Sequence, residues 1–220
     1  MKFIFDLDGT LYNFDNTIGK RFCESLIYQR VKENANYFLQ ERLNLNNSEV
    51  KKELELADSI CKGQLSVYLE NKYGINKYEY FCNCYDINPK EFITKNNNVK
   101  SLFRLLGNNA LILTGAPKIW ARRTLDYLGV SDYIGDNVLT GEYKIVKPNP
   151  SVFLEATKIL NCLPEDTLSI GDQEHTDIIP AKTIGLKTAI IGNSIFADYQ
   201  LSNIDEMIDL VKGLNERYNI

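Results

Sequence analysis

The sequence is poor in the residues that build zinc sites and disulfide frameworks. It has one histidine and five cysteines, and no two cysteines are spaced as CxxC. Structural zinc sites use four Cys or His ligands at close spacing, and a disulfide framework uses an even number of cysteines. We therefore expect reduced thiols in a cytoplasmic protein. The cysteines are Cys23, Cys61, Cys82, Cys84 and Cys162.

Long apolar runs and an excess of positive charge are also missing. No run approaches the ~20 apolar residues of a membrane-spanning helix, and we expect no signal peptide before the first strand-like segment. The formal net charge of −4 offers no basic stripe to nucleic acid or to an anionic membrane. We expect a soluble protein with neither as a partner, in which any bound phosphate is held by local groups.

The chain has 220 residues, 44% of them hydrophobic, which is enough to form the hydrophobic core of one large domain or of a core domain with an insert. Short apolar runs resemble buried parallel strands, and helical patterns alternate with the later ones. The runs are 2–6, 110–113, 167–170 and 187–191, with a weaker one at 134–139. This alternation predicts an α/β fold with a doubly wound parallel sheet, which binds ligands at the carboxyl ends of its strands.

One long segment, 15–93, breaks the alternation. It is dense in Lys, Glu, Asn and Tyr, and the stretch from Thr17 to Leu45 carries apolar residues at helical spacing. We interpret it as a helical insert, which leaves 1–14 and 94–220 as the core. Polar segments at 13–16 and 96–98 are the expected hinges.

Two carboxylates, Asp6 and Asp8, follow the first strand. In an extended chain they point to the same side, and like charges that close favour a bound cation or acid/base chemistry. The glycine that follows, Gly9, lets the chain turn sharply. The alternative is an Asp-Gly β-hairpin.

Polar residues also follow two later strands. Thr114 and Gly115 precede Pro117, a candidate first helical residue, so a hydroxyl and free backbone N–H groups would meet at a helix N-terminus and bind an anion. The alternative is an ordinary capping turn. Lys147 lies in a loop before Pro148 and could neutralise a phosphate oxygen, or simply be a surface lysine.

The segment around 167–182 places Asp172 directly after a strand and Gly171, which suits a hard cation bound through oxygens. Asp177 could cap the helix that follows. We interpret His175 as a solvated loop residue rather than a base. Since these candidates all fall at the strand ends of one sheet, convergence on one site explains more than a hairpin does. The converging residues are Asp6, Asp8, Thr114, Lys147 and Asp172.

These segments, in this order, resemble the four motifs of the haloacid dehalogenase-like hydrolase superfamily. The motifs are Asp6-Leu7-Asp8-Gly9-Thr10-Leu11-Tyr12, Thr114, Lys147-Pro148, and Gly171-Asp172 with Asp177. The resemblance implies a Rossmann-like core with an inserted all-helical cap. Leu11-Tyr12 and the long insert look most like pyrimidine 5′-nucleotidase-type phosphatases.

The resemblance also implies roles for the motif residues. Asp6 would be the nucleophile of a Mg²⁺-dependent phosphatase, and Asp8 its general acid and base. Mg²⁺ would bind Asp6, Asp172 and the backbone carbonyl of Asp8. The phosphate would contact Thr114, Gly115 and Lys147, with Thr10 and Asp177 as supporting residues.

The expected substrate is a small phosphorylated metabolite, with a nucleoside monophosphate as one candidate. Aromatic residues of the insert could stack on a nucleobase or form the insert's own core. They are Tyr68, Tyr73, Tyr78, Tyr80, Phe81 and Tyr85. A sugar phosphomutase or a phosphoglycolate-type phosphatase would use the same core, and a non-catalytic scaffold is a further alternative. An acid at position 8 argues against dehalogenation, because a departing halide needs no proton.

Overall fold

The computed structural model describes residues 1–17, 20–61 and 64–217, with side chains described as far as 214. Residues 18, 19, 62 and 63 of the predicted insert lie outside the described residues. The chain forms two compact units, Met1–Phe22 with Pro89–Ile220 and Cys23–Asn88. All five cysteines are free thiols. In the described part of the chain, no helix combines the length and apolar character that crossing a bilayer requires.

The first unit contains a parallel sheet whose strand order is β3-β2-β1-β4-β5-β6. The predicted doubly wound α/β core is confirmed. The strands are β1 Lys2–Phe5, β2 Ala110–Leu113, β3 Val138–Leu139, β4 Thr167–Gly171, β5 Lys187–Ile191 and β6 Tyr199–Leu201. The edge strand β6 was not predicted, because three residues with one buried side chain give no apolar run.

The helices of the chain are α1 Leu26–Leu43, α2 Asn47–Cys61, α3 Leu65–Tyr73, α4 Lys77–Cys84, α5 Asn97–Leu106, α6 Lys118–Leu128, α7 Ser131–Ile134, α8 Pro150–Ile159, α9 Ile179–Thr183 and α10 Ile204–Arg217. Asn149 caps α8 by accepting a hydrogen bond from the amide of Ser151 (2.9 Å). Pro150, the first residue of α8, is compatible with a helix start.

Strand β1 lies at the centre of the sheet and is buried on both faces. Its alternation sends Phe3 and Phe5 to one face and Ile4 to the other. Phe5 packs against Phe103 of α5, with ring centroids 5.2 Å apart, and Ile4 joins a cluster that includes Phe153 of α8. Each such burial contributes about 1.5–3 kcal/mol. The packing fixes β1 between β2 and β4, so whatever follows β1 lies between the ends of those two strands.

The second unit, Cys23–Asn88, is built from α1 to α4. The buried residues of α1 recur at helical spacing and include Ile27, Val31, Ala35 and Phe38. Phe38 meets Tyr80 of α4 edge to face, with ring centroids 6.1 Å apart. The unit therefore has a small core of its own.

The aromatic residues of this unit divide between its core and its surface. Tyr68 and Tyr80 are buried, whereas Tyr73 and Tyr78 are 37% and 49% exposed. The core alternative therefore holds for the first two rings, and the two exposed rings are available to a partner.

Candidate active site

The loop after β1 places two carboxylates at the carboxyl edge of the sheet. The amide of Asp6 donates to the carbonyl of Ile170 on β4 (2.8 Å), which continues the strand pairing by one residue. Leu7 turns into the core and is fully buried. Gly9 has φ +87°, in the left-handed region where a side chain is unfavourable. The strand alternation and this turn hold Asp6 and Asp8 at the edge of the core.

Lys147 links two of the predicted residues. Its ammonium Nζ lies 2.5 Å from Oδ1 of Asp6 and 2.6 Å from Oδ1 of Asp177. The side chains of all three residues are at most 8% exposed. Lys147 is therefore no surface lysine, and breaking such a buried pair by removing one partner is strongly destabilising.

Asp177 does not cap a helix, so that part of the prediction is wrong. It lies within a short π-helical turn, Glu174–Ile178, ahead of α9. Its Oδ2 accepts a hydrogen bond from the amide of Gln173 (3.0 Å), while its Oδ1 accepts from Lys147. In this π-helical turn the carboxylate of Asp177 points back to Gln173, at the start of the same loop. His175, in the same turn, is exposed.

Asp172 follows β4 and faces the turn at Gly9. Its Oδ1 is buried and has no hydrogen-bond partner among the described residues. A Cβ added to Gly9 would lie 2.4 Å from Oδ2 of Asp172, so only glycine permits this approach. Oxygens of Asp6, Asp172 and Asp177 all lie within 4.8 Å of one another. The predicted convergence of strand-end carboxylates is present in the structure.

Burial and mutual repulsion make this cluster electrostatically costly. Burial, with the carboxylates of Asp177 and Asp8, raises the pKa of Asp6 to about 7 against the opposing effect of Lys147. Burial, with Asp6 and Asp177, raises the pKa of Asp172 to about 8. Burial lowers the pKa of Lys147, but Asp177 and Asp6 outweigh it and leave that pKa above its ordinary value. The ammonium of Lys147 stays charged, and a further positive charge beside the carboxylates would be favourable.

Asp8 lies in a different environment, held by three neutral donors. Its Oδ1 accepts hydrogen bonds from the hydroxyl of Tyr12 and from the indole Nε1 of Trp120 (2.7 Å). Its Oδ2 accepts from the hydroxyl of Thr114 (3.1 Å). Thr10, two residues after Asp8, donates to Oδ2 of Asp6 (3.2 Å). The two carboxylates of the first motif therefore have separate sets of partners.

The loop after β2 differs from its prediction. Pro117 is the residue before α6 rather than its first residue. The amide of Ala116 donates to Oγ1 of Thr114 (3.0 Å), and the amide of Lys118 donates to Oε1 of Glu142 (2.8 Å). The expectation of free amides at this helix N-terminus is thus wrong for Ala116 and Lys118. The amide of Ala116 is engaged by Thr114, and the carboxylate of Glu142 caps the helix at the amide of Lys118.

The loop that contains Gly141 and Glu142 also contacts the backbone at Gly115. The amide of Gly141 donates to the carbonyl of Ala116 (2.9 Å). A Cβ on Gly141 would lie 2.1 Å from the carbonyl oxygen of Gly115. Backbone contact, rather than side chains alone, therefore fixes the position of the Thr114–Gly115 segment.

Sequence reasoning did not single out Trp120 and Glu142, and it named Tyr12 only as the last residue of the first motif. Trp120 has an apolar helical spacing with Leu125 and Leu128, which is typical of a core residue, and it is buried. The available signal was that a buried indole N–H needs an acceptor. Glu142 carries no comparable signal, because its partner is a backbone amide 24 residues away.

We expect Gly9→Ala to be more destabilising than Gly129→Ala. Both glycines have positive φ, but a Cβ at Gly129 would lie 3.4 Å from Nζ of Lys95, an ordinary contact. Gly129→Ala should cost about 1–2 kcal/mol from its left-handed backbone conformation, and Gly9→Ala should cost ~1–3 kcal/mol more from overlap with Asp172. Urea denaturation measures both free energies of unfolding, and equal losses would contradict the close approach.

We expect the metal-free protein to lose stability as pH rises. Asp6 and Asp172 have pKa values of about 7 and about 8 when folded, against 3.8 as the ordinary value. The folded state then holds protons that the unfolded state has released, so the free energy of unfolding falls between about pH 5 and about pH 8. Thermal unfolding in EDTA should show this fall, and Asp172→Asn should flatten it. A stability that rises over this window, or an unchanged slope in Asp172→Asn, would contradict the electrostatics.

Comparison with known proteins identifies the family. The model of haloacid dehalogenase-like hydrolases matches residues 3–191. The glyceraldehyde 3-phosphate phosphatase of Methanocaldococcus jannaschii is 25% identical, over 97% of this chain and 97% of that protein. A phosphatase crystal structure from Thermococcus onnurineus superposes with a TM-score of 0.65 at 21% identity, covering 96% of this chain and 98% of that one. The β-phosphoglucomutase of Clostridium difficile gives 0.56 at 20%, covering 99% and 97%.

At these identities the two solved structures support the fold alone. The predicted superfamily and enzyme class are confirmed, while the narrower resemblance to pyrimidine 5′-nucleotidases stays a prediction. The match over most of the sequence establishes that this chain belongs to the haloacid dehalogenase-like hydrolases.

Proposed function

We propose that this protein is a phosphatase that hydrolyses small phosphate monoesters through an aspartyl-phosphate intermediate on Asp6. The observation that carries the proposal is the pairing of Asp6 with the buried ammonium of Lys147, beside an oxygen of Asp172 that has no partner in the described part of the chain. The similarity to the glyceraldehyde 3-phosphate phosphatase of Methanocaldococcus jannaschii supports the substrate class.

The residues of the carboxylate cluster fit Mg²⁺. Within the described residues Asp172 Oδ1 is buried without a donor, and hard cations prefer such oxygens. By the resemblance to the family, the proposed ligands are Asp6, Asp172 and the backbone carbonyl of Asp8, while Asp177 accepts from Lys147 and from the amide of Gln173. When bound, Mg²⁺ neutralises charge on the phosphate oxygens and on the carboxylates.

The chain's own residues then account for the reaction. Asp6 attacks phosphorus through a carboxylate oxygen, and the bond from phosphorus to the ester oxygen breaks. Asp8 gives a proton to the departing alkoxide, later removes one from the water that attacks the aspartyl phosphate, and is thereby restored. Breakage of the bond between Asp6 and phosphorus releases inorganic phosphate. Lys147 offsets negative charge at Asp6 throughout.

In this proposal the loop after β2 contacts the phosphate. The hydroxyl of Thr114 donates a hydrogen bond to Asp8 in this structure, and Gly115 beside it is exposed. We assign both, with Lys147, to phosphate binding. Thr10 and Asp177 act as supporting residues, because they hydrogen bond Asp6 and Lys147 respectively.

The substrate in this proposal is a small phosphorylated metabolite. Triose phosphates, phosphoglycolate and nucleoside monophosphates are the candidates for a phosphate-release screen with Mg²⁺. In this proposal segment 15–93 acts as the cap, and 1–14 with 94–220 as the catalytic core. A phosphomutase would convert a sugar phosphate into its isomer without releasing phosphate, so following both products in one assay separates the two activities.

Asp6→Asn should abolish Mg²⁺-dependent phosphate release, because an amide is a poor nucleophile and removes one charged ligand of the cation. Asp136→Asn is the matched control, since the side chain of Asp136 is fully exposed. Release of phosphate from p-nitrophenyl phosphate and from a triose phosphate measures the effect. Wild-type rates in excess EDTA, or an Asp6→Asn rate within about tenfold of wild type, would overturn the mechanism.

The nucleotide candidate has its own test in the exposed aromatic rings. If Tyr78 stacks on a nucleobase, Tyr78→Ala should lower kcat/KM for a nucleoside monophosphate by about tenfold or more. Turnover of p-nitrophenyl phosphate and the melting temperature should stay nearly unchanged. Tyr37→Ala, at a ring 67% exposed in the same unit, is the control. Proportional losses on both substrates would remove the nucleotide candidate.

A further inference from the structure

The environment of Asp8 divides its two oxygens. Oδ1 accepts from both Tyr12 and Trp120, whereas Oδ2 accepts from Thr114. Trp120 is 1% exposed and Tyr12 is 6% exposed, so both donors belong to the packed core. An indole N–H has one direction of donation, set by the ring, and this ring is fixed by its burial.

The contact from Thr114 is of a different kind. Its hydroxyl has one proton, and its oxygen already accepts from the amide of Ala116 (3.0 Å). When that hydroxyl donates to a phosphate oxygen, its donation to Asp8 Oδ2 ends. Substrate binding therefore releases Oδ2 and leaves the two bonds to Oδ1 in place.

We infer that Trp120 and Tyr12 are positioning residues that hold Asp8 by Oδ1 and direct Oδ2 at the ester oxygen of the substrate. The inference rests on the proposed function, since it assigns an orientation to the general acid of that reaction.

A carboxyl group that is free to rotate would present either oxygen, and misplacement of a reacting group is costly to the rate. Two donors on one oxygen remove that freedom without adding a charge. Tyr12 and Trp120 therefore fix the orientation of Asp8 with neutral groups.

The kinetic test removes each donor while keeping a ring. Trp120→Phe and Tyr12→Phe should each lower kcat for an alkyl phosphate by about tenfold, with KM within about twofold. Loss with p-nitrophenyl phosphate should be smaller, because that leaving group scarcely needs a proton. Tyr127→Phe, a half-buried tyrosine of α6 outside the site, is the control. Melting temperatures show whether Trp120→Phe still folds, and Tyr12→Phe keeps the shape of its side chain.

A mutant cycle shows whether the donors act through Asp8. In an Asp8→Asn background, Trp120→Phe and Tyr12→Phe should lower kcat by less than about twofold further. Additive losses would mean that the rings act by packing alone, and would overturn the inference.

A spectroscopic readout is independent of activity. Trp120 is the only tryptophan of the chain, so it gives a single indole N–H resonance in a ¹H–¹⁵N spectrum. Asp8→Asn should move that resonance upfield, because the acceptor loses its charge, whereas Tyr127→Phe should leave it in place. An unmoved resonance in Asp8→Asn would overturn the contact itself.

The outcomes separate this inference from the proposed function. A wild-type protein that releases phosphate from neither ester overturns the proposed function and the leaving-group role of Asp8 together. A wild type that hydrolyses both esters, with equal losses on both in Trp120→Phe and Tyr12→Phe, overturns the positioning inference alone.

Discussion

The rest of the site depends on one buried ammonium shared between two carboxylates. Lys147 contacts both Asp6 and Asp177, and the side chains of all three are almost fully buried. With Asp172 in the same cluster, three carboxyl groups face one cation. Such a site carries excess negative charge unless protons or a second cation enter it, and the raised pKa values of Asp6 and Asp172 reflect this. The need for protons or a further cation thus arises from the fold itself.

The cluster exists because the sheet brings distant segments to one edge. Asp6 follows the central strand β1, Asp172 follows its neighbour β4, and β2 on the other side leads to Thr114. Parallel strands end at the same edge, so residues more than 100 positions apart in sequence become neighbours there. The core that fixes β1 between β2 and β4 therefore sets the geometry of the site, and packing far from the carboxylates contributes to their placement.

This dependence on strand ends explains which residues the sequence could predict. A buried apolar run followed by a polar residue is a local pattern, and it was sufficient to place Asp6, Asp8, Thr114 and Asp172 at strand ends and to predict five of the six strands. Lys147 follows no predicted strand directly, and it was singled out as a loop cation that could neutralise a phosphate oxygen, with a surface lysine as the alternative. Partners that approach from elsewhere leave no local pattern: Trp120 lies 112 residues from Asp8 and has the spacing of a core residue. Asp177 was misassigned as a helix cap because a π-helical turn and an α-helix start have similar sequences.

The two aspartates of the first motif show how partners, rather than position, divide the chemistry. Both follow the same strand, two residues apart, yet Asp6 contacts an ammonium and Asp8 contacts only neutral donors among the hydrogen bonds described for its carboxylate. An ammonium favours the ionised form of a carboxyl group, which suits the role of nucleophile proposed for Asp6. Hydroxyl and indole donors fix the direction of a carboxyl group without adding a charge, which suits the role of general acid and base proposed for Asp8. Strand alternation therefore accounts for Asp6 and Asp8 pointing to the same side. Their different partners, which for Asp8 include residues from α6 and from the loop after β2, account for the different environments of the two carboxylates.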